Sequence, residues 1–278
     1  MTELITTINE IRSRVLSYRE AGRTVALVPT MGGLHAGHIS LVNRAVKIAD
    51  QTIVSIFVNP TQFNNSDDFE TYPSDEADDL KALSNFENLI VYAPSAEEMY
   101  PEDFSSNVTV DTGEPVLCNA YRKGHFEGVA TVVAKLFNQV PADFALFGEK
   151  DYQQLFLISR MVRDLNFPIE IVPVATVRET SGLALSSRNA RLNNSERKIA
   201  PHLNAAMLNA LNNIKNGMKP DEACAQARKQ LEADYAFKVE YLEYRSGNTL
   251  QLLDRYLEEG RLFAAAFLGD VRLIDNIA

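Results

Sequence analysis

The sequence predicts an α/β protein, a parallel sheet with helices on both faces followed by a smaller C-terminal α+β domain. Three observations carry that prediction. Short apolar runs rich in β-branched residues alternate with segments of helical spacing through the first two thirds of the chain. Polar motifs containing glycine or proline follow directly on three of those runs. Beyond about residue 176 the alternation stops, and two helical stretches precede two strand-like ones.

In chain order, the first twenty residues read as an amphipathic helix, with Ile5, Ile8, Ile11, Val15 and Leu16 on one stripe, and not as a signal or transit peptide. The strand-like runs are "TVALVP" (24–29), "TIVSIFVN" (52–59), "NLIVYA" (88–93), "DFALFG" (143–148) and "IEIVPV" (169–174). Between them "HISLVNRAVKIAD", "SDEADDLKALSN", "EGVATVVAKLFNQV" and "DYQQLFLISRMVRDLN" show helical spacing. Ligands of such sheets bind at the carboxyl ends of the strands. "PTMGGLH", "NPTQF" and "GEKD" each follow a strand, so three motifs converge on one rim. The polar segment "TVRETSGLALSSRNARLN" reads as a mobile loop. Helices are expected over Ser195–Gly217 and Pro220–Ala233, then strands in "KVEYLEYR" and "RLFAAAFLGDVRLIDNI". A domain boundary is placed near residue 180, giving domains 1–180 and 181–278, the second expected to close over the site.

Composition narrows the function class. The 278 residues are 46% apolar and 23% charged, as in an ordinary globular protein. No window approaches the roughly 18 uninterrupted apolar residues of a membrane span. Cys118 and Cys224 lie far apart without Cys-x-x-Cys spacing. That disfavours disulfides and a cysteine zinc site and fits a reducing cytoplasm. Twenty-seven basic and 37 acidic side chains leave a formal charge of −10. Such a field repels phosphate backbones, so nucleic acid is not expected as a partner, nor, without a long apolar window, is a membrane, while a small anionic ligand remains compatible.

The stretch "VALVPTMGGLHAGHISLV" turns a strand into a helix through two glycines and a His-x-Gly-His. Glycines let the backbone approach a phosphate, and the positive end of the following helix favours negative charge there. His35 and His38, three apart, share a face once the helix begins. They are either two donors for charge developing on an α-phosphate, structural histidines, or half of a metal site. Neither a P-loop nor a Gly-x-Gly-x-x-Gly fingerprint is present. Ser186, Ser187 and Arg188 offer hydroxyls and a guanidinium to β- and γ-phosphates, or form a solvated loop. Lys150 can neutralise phosphate charge while Asp151 caps the helix that contains Gln154. Asn59 and Gln62 carry amides suited to a carboxylate or hydroxyl. Asp78 and Asp79 can hold Mg²⁺ beside phosphates, or at least one of them belongs to a wet helix face.

Taken in order, "PTMGGLHAGH", "SIFVNPTQF", "RKGHFEGVATVV", "FGEKDYQQ" and "LALSSRN" resemble the pantothenate synthetase (pantoate–β-alanine ligase) family of the nucleotidylyl transferase superfamily. The resemblance is densest from about residue 24 to 190 and extends to the closing "RLIDN". It implies a Rossmann-like sheet domain and a two-step ligation. ATP and pantoate give pantoyl adenylate and pyrophosphate, and β-alanine then displaces AMP to form pantothenate. The resemblance assigns Met31, Gly32, Gly33, Leu34, His35, Ala36, Gly37 and His38 to an ATP loop, with His38 as proton donor. Gln62 falls at a site shared by pantoate and β-alanine, and Gln154 at a pantoate contact. Gly148, Glu149, Lys150 and Asp151 match a second ATP segment, Val177 an adenine contact, and Leu185, Ser186, Ser187 and Arg188 a closing phosphate loop. Asp78 matches a position linked to Mg²⁺, and a cytoplasmic homodimer is implied.

Three positions depart from the family pattern: Ser74 in place of arginine, Leu185 in place of methionine, and Ala36 in place of an acid. None removes a side chain expected at phosphate or substrate. Two other activities share parts of this pattern. One is a nucleotidyltransferase that leaves its nucleotide on a phosphorylated alcohol, and the other is a nucleotide sensor without chemistry.

Overall fold

Among the described residues, six of nine strands run parallel in one sheet, in the order β1-β4-β3-β2-β5-β6. They are β1 (Glu3–Ile5), β2 (Val25–Thr30), β3 (Gln51–Ile56), β4 (Leu89–Tyr92), β5 (Phe144–Gly148) and β6 (Glu170–Val174). The computed structural model describes residues 3–64, 69–72, 75–111, 113 and 115–278. The chain divides into two compact units. The first holds Met1–Pro115, Asn119–Glu149 and Gln153–Ala175, and the second Val116–Cys118, Lys150–Tyr152 and Thr176–Ala278.

A parallel sheet covered on both faces needs strands that are apolar throughout. Leu27, Val28, Ile53, Val54 and Val91 are accordingly sealed from solvent. From the central β2 the chain steps to β3 and β4 on one side, then to β5 and β6 on the other. The crevice of a doubly wound sheet opens where that direction reverses, here at the carboxyl ends of β2 and β5. β2 and β3 pair in register from Val25 with Gln51 to Thr30 with Ile56, which sets their two terminal loops side by side.

The N-terminus departs from expectation. Ile5 belongs not to a helix but to β1, opposite Tyr92 of β4. The helix begins only at Ile8, because the Thr7 hydroxyl caps it by accepting from the Glu10 N–H (3.3 Å). Ile11 and Val15 are buried in that helix, but Leu16 is 53% exposed and lies off the apolar face.

The second unit is built on β7 (Lys238–Ser246), β8 (Gly260–Leu268) and β9 (Val271–Ile277), an antiparallel sheet in that order. The helices His202–Lys215 and Pro220–Asp234 lay Met207, Leu211, Ile214 and Leu231 over its Val239, Leu262 and Leu273. The long helix expected from Ser195 is broken into Asn194–Ile199 and His202–Lys215 around Pro201, which cannot donate in a helix interior. The segment expected to be a mobile loop begins as a hydrogen-bonded hairpin. Leu185 N–H donates to Val177 O (3.0 Å) and Glu179 N–H to Leu183 O (2.8 Å). Gly182 makes the turn at φ +92°. Arg178 holds the hairpin down by bonding both oxygens of Asp275 (2.6 and 2.8 Å) and the Gly182 carbonyl (3.1 Å).

Gly260 opens β8 against a fully buried Tyr244, whose hydroxyl donates to Leu257 O (2.8 Å). A Cβ at position 260 would stand 1.9 Å from that hydroxyl and 2.9 Å from the Leu257 carbonyl. Gly260→Ala is expected to cost about 1–3 kcal/mol through forced displacement of the ring. Urea unfolding of the variant, compared with the parent protein, checks this; an unchanged midpoint would count against the packing described.

Candidate active site

The turn after β2 is assembled from glycine geometry and one distant carboxylate. Thr30, the last residue of β2, donates its hydroxyl to Ser55 O (2.7 Å) and accepts from Gly32 N–H (3.2 Å). Gly32 and Gly33 follow at φ +78° and +63°, where a side chain would be strained. The next amides point into the carboxylate of Asp79, with Gly33 N–H on one oxygen (3.0 Å) and Leu34 N–H on the other (2.7 Å). Asp79 is only 3% exposed. Burial raises its pKa above the ordinary aspartate value; the two N–H bonds oppose that, and the charges of Asp75 and Asp78 add to it.

His35 then caps the helix Ala36–Ile48. Its Nδ1 accepts from Gly37 N–H (3.1 Å), while His38 Nδ1 accepts from His35 N–H (3.3 Å). The two rings lie 4.2 Å apart, tilted by 37°. Each Nδ1 faces an N–H donor and so bears no proton; this network assigns the ring proton to Nε2 in both. A second proton on either ring would set N–H against N–H. The turn therefore sets two imidazoles, each accepting a backbone N–H through Nδ1, at the positive end of a helix. The alternative of half a metal site finds no support, since no group of three His, Cys, Asp or Glu among the described residues is arranged to hold a metal.

Beyond β3, Pro60–Gln62 forms a single 3₁₀ turn whose hub is Asn59, 1% exposed. Its Nδ2 donates to Gln62 Oε1 and to Gly128 O, both at 3.1 Å. Its Oδ1 accepts from Tyr100 OH (2.9 Å), Thr61 Oγ1 (2.9 Å) and Thr61 N–H (3.3 Å). Asn59, expected to meet substrate, is thus spent on positioning. By holding the oxygen of Gln62 it turns the Nε2 donor outward, where its partner is the Met31 thioether at 2.8 Å. A thioether is a weak acceptor, so a substrate oxygen can displace it. The main chain of Gln62 is gripped from the other side by His125 Nδ1 (2.7 Å) and Arg122 Nη2 (3.4 Å). Gly128 lets the helix His125–Gln139 press against this turn, since a Cβ there would lie 2.5 Å from Thr61 O.

The first unit thus gathers Met31 to His38 with Gln62 at neighbouring strand ends. In the same unit Gly148 ends β5, Glu149 follows it, and Gln154 is half-buried in the helix Tyr152–Asp164. In the second unit the Lys150 ammonium is 3.7 Å from the Asp151 carboxylate, and the Lys150 carbonyl accepts from Asn276 (2.8 Å). Val177 and Leu185 pair across the hairpin. Ser186 Oγ accepts from Arg188 N–H (3.3 Å), shaping the 3₁₀ turn Ser187–Arg191. Asp78 is exposed on the helix Glu76–Leu83, and Ser74 lies outside the described residues. Asp79, read from sequence as a metal carboxylate or a wet helix face, is the anchor of the glycine turn. The part Arg122 and His125 play at Gln62 has no local sequence signal, because only the fold brings them there across about sixty residues.

The family model described as pantoate-beta-alanine ligase matches residues 3–278. A pantothenate synthetase of Roseobacter denitrificans is 48% identical over 274 residues, covering 99% of this chain and 96% of that protein. One from Cereibacter sphaeroides is 50% identical over 277 residues, covering 100% and 99%. The crystal structure of pantothenate synthetase from Thermus thermophilus is similar with a TM-score of 0.92 at 42% identity, over 99% of both chains. That of pantoate-beta-alanine ligase from Francisella tularensis, complexed with beta-gamma ATP and beta-alanine, gives 0.81 at 32% identity, over 100% and 97%.

Asp79→Asn retains one acceptor but sets an amide N–H₂ against the second backbone donor. The expected result is a KM for ATP raised about tenfold, from roughly 1.5 kcal/mol of lost anchoring. Steady-state kinetics with circular dichroism as a folding control measure it. Because the pKa of Asp79 is raised, acidification should protonate it before an ordinary aspartate. The KM for ATP in the parent should therefore begin to climb at a pH above that range, and this rise should be absent in Asp79→Asn.

Proposed function

The chain belongs to the pantoate–β-alanine ligase family, and from that premise we propose a course for the reaction it catalyses, the ATP-dependent joining of pantoate to β-alanine. A pantoate carboxylate oxygen attacks the α-phosphorus of ATP, and the bond to the β-phosphate oxygen breaks, releasing pyrophosphate. The β-alanine amine, having lost a proton, then attacks the carbonyl carbon of the pantoyl adenylate, and AMP departs with the bonding pair. The first step sets one anion against another, so the site must offer donors and cations more than covalent help.

Each residue has a part in that demand. The Nε2–H groups of His35 and His38 and the N-terminus of their helix receive the charge that grows on the α-phosphate, with His38 the donor whose loss matters most. Gly32 and Gly33 let the backbone come close, and Met31, Leu34, Ala36 and Gly37 complete the loop. The outward amide of Gln62 takes an oxygen of pantoate and later of β-alanine, and Gln154 takes a second pantoate oxygen. By family resemblance Lys150, Ser186, Ser187 and Arg188 hold phosphate oxygens. Gly148, Glu149, Asp151 and Leu185 shape their surroundings, and Val177 meets the adenine. The second domain closing over the site would keep water from the labile adenylate.

A single exposed carboxylate, Asp78, suits only a Mg²⁺ ion held chiefly by the nucleotide's own phosphates. Such an ion would screen phosphate charge. A cytoplasmic homodimer completes the reading; among the described residues no helix is long and apolar enough to cross a membrane.

The observation that supports this course best is the histidine pair, both rings oriented through Nδ1 by backbone N–H groups at the N-terminus of a helix. Exchange of labelled pyrophosphate into ATP should require pantoate but not β-alanine, and AMP should appear only when all three substrates turn over. Product that retains the nucleotide would favour a nucleotidyltransferase instead. His38→Ala should lower turnover about 10²-fold with the fold intact, as read by stopped assays of AMP release; near-parental turnover would leave the imidazole a purely structural role.

A further inference from the structure

We propose that Arg178 is a positioning residue for the phosphate loop, holding Leu185–Arg188 in its binding shape before ATP arrives. The inference deepens the ligase reading and rests on it, since that reading gives Ser186, Ser187 and Arg188 their phosphate oxygens. Small and polar residues fill this part of the chain, the composition of a segment with little apolar surface to hold it. A loop that is ordered for only part of the time binds its ligand more weakly in the same proportion. The order has to come from outside the loop.

Asp275 on β9 supplies it, with a side chain only 3% exposed. Its Oδ1 accepts from Arg178 Nη2 (2.8 Å) and Asn276 N–H (2.8 Å), and its Oδ2 from Arg178 Nη1 (2.6 Å) and Asn204 Nδ2 (3.1 Å). These donors fix the carboxylate, and the two-pronged pair fixes the plane of the guanidinium. The same Nη1 reaches the Gly182 carbonyl (3.1 Å), so one side chain ties both the first arm and the turn of the hairpin to the sheet. The second arm follows by register, with Ala184 opposite Arg178 and Leu185 N–H on Val177 O (3.0 Å). From there Asn189 bonds back, its Nδ2 donating to Ala184 O (2.9 Å) and its backbone N–H to Ser186 O (2.9 Å). Ser186, Ser187 and Arg188 therefore span the gap between two held points, Leu185 and Asn189. Lysine at 178 would keep the charge but lose the fork.

The test joins hydrogen exchange to kinetics in the parent enzyme, in Arg178→Lys, and in the double variant Arg178→Gln/Asp275→Asn, which strands no charge. Circular dichroism controls for folding. In the parent, the hydrogen-bonded amides of Glu179, Gly182, Leu185 and Asn189 should exchange slowly without nucleotide, and change less than about threefold when ATP alone is added. Arg178→Lys should speed their exchange about tenfold, with ATP reversing most of the gain. Its KM for ATP should rise about tenfold, while kcat at saturating ATP and the KM for β-alanine stay within about twofold. The double variant should match or exceed that rise. Protection that appears in the parent only with ATP overturns the proposal, because the loop is then ordered by its ligand. So does a parental KM for ATP in both variants, and so does a fall in kcat with that KM unchanged, the mark of a merely structural pair. Absence of pantoate-dependent pyrophosphate–ATP exchange in a parent whose loop is protected would instead strike at the ligase reading itself.

Discussion

The N–H groups of Gly33 and Leu34 end in one buried carboxylate, and the place of the whole turn between β2 and its helix follows from where Asp79 is held. A buried amide without an acceptor costs about 1–3 kcal/mol, and these part-buried N–H groups find theirs in Asp79. Asp79 is itself placed by a short helix that Asp75 caps, accepting from Ala77 N–H (2.9 Å) and Asp78 N–H (3.1 Å). A line of dependence therefore runs from the Asp75 cap to Asp79, from Asp79 to the glycine turn, and from the turn to His35. His35 in turn presents its own backbone N–H to His38. The two imidazoles are oriented by backbone groups, and those groups by an aspartate 45 residues away.

Gln62 shows the same logic with different parts. Its side-chain oxygen is taken by Asn59 and its carbonyl by Arg122 and His125, so the one group left facing a weak partner is the Nε2 donor. A fully satisfied buried network of this kind gives a single side-chain orientation, whereas an apolar pocket would leave the amide free to flip. The price is steric, since position 128 must lack a Cβ for the helix to come close enough. Rigid strands carry these loops, and the loops carry the chemistry.

In the second unit a buried ion pair plays the anchoring part. Asp275, almost wholly enclosed, accepts from Arg178 through both oxygens and from Asn204 at 3.1 Å. Removing one partner of such a pair strands a buried charge, which is far worse than never having had it. The hairpin that leads into Leu185–Arg188 is thus tied to β9, and Gly182, facing the Asn204 side chain, completes its turn.

What the sequence determined by itself was local. Five of the six parallel strands are legible because burial on both faces demands unbroken apolar runs, and the motifs at their ends are legible because glycine and proline mark the turns that end those runs. Local patterning also misled. Ile5 fits a helical stripe, yet it lies in a strand ahead of the Thr7 cap; the expected long helix yields to Pro201; and the loop expected over 176–193 begins as a hairpin. The tertiary structure alone decided that Asp79 serves the glycine turn, that Asn59 serves Gln62, and that Arg122 and His125 reach Gln62 at all. Periodicity reports which face of an element is buried, a property of neighbours along the chain. A hydrogen bond across forty to sixty residues depends instead on how strands are ordered in the sheet, and strand order leaves no periodic trace.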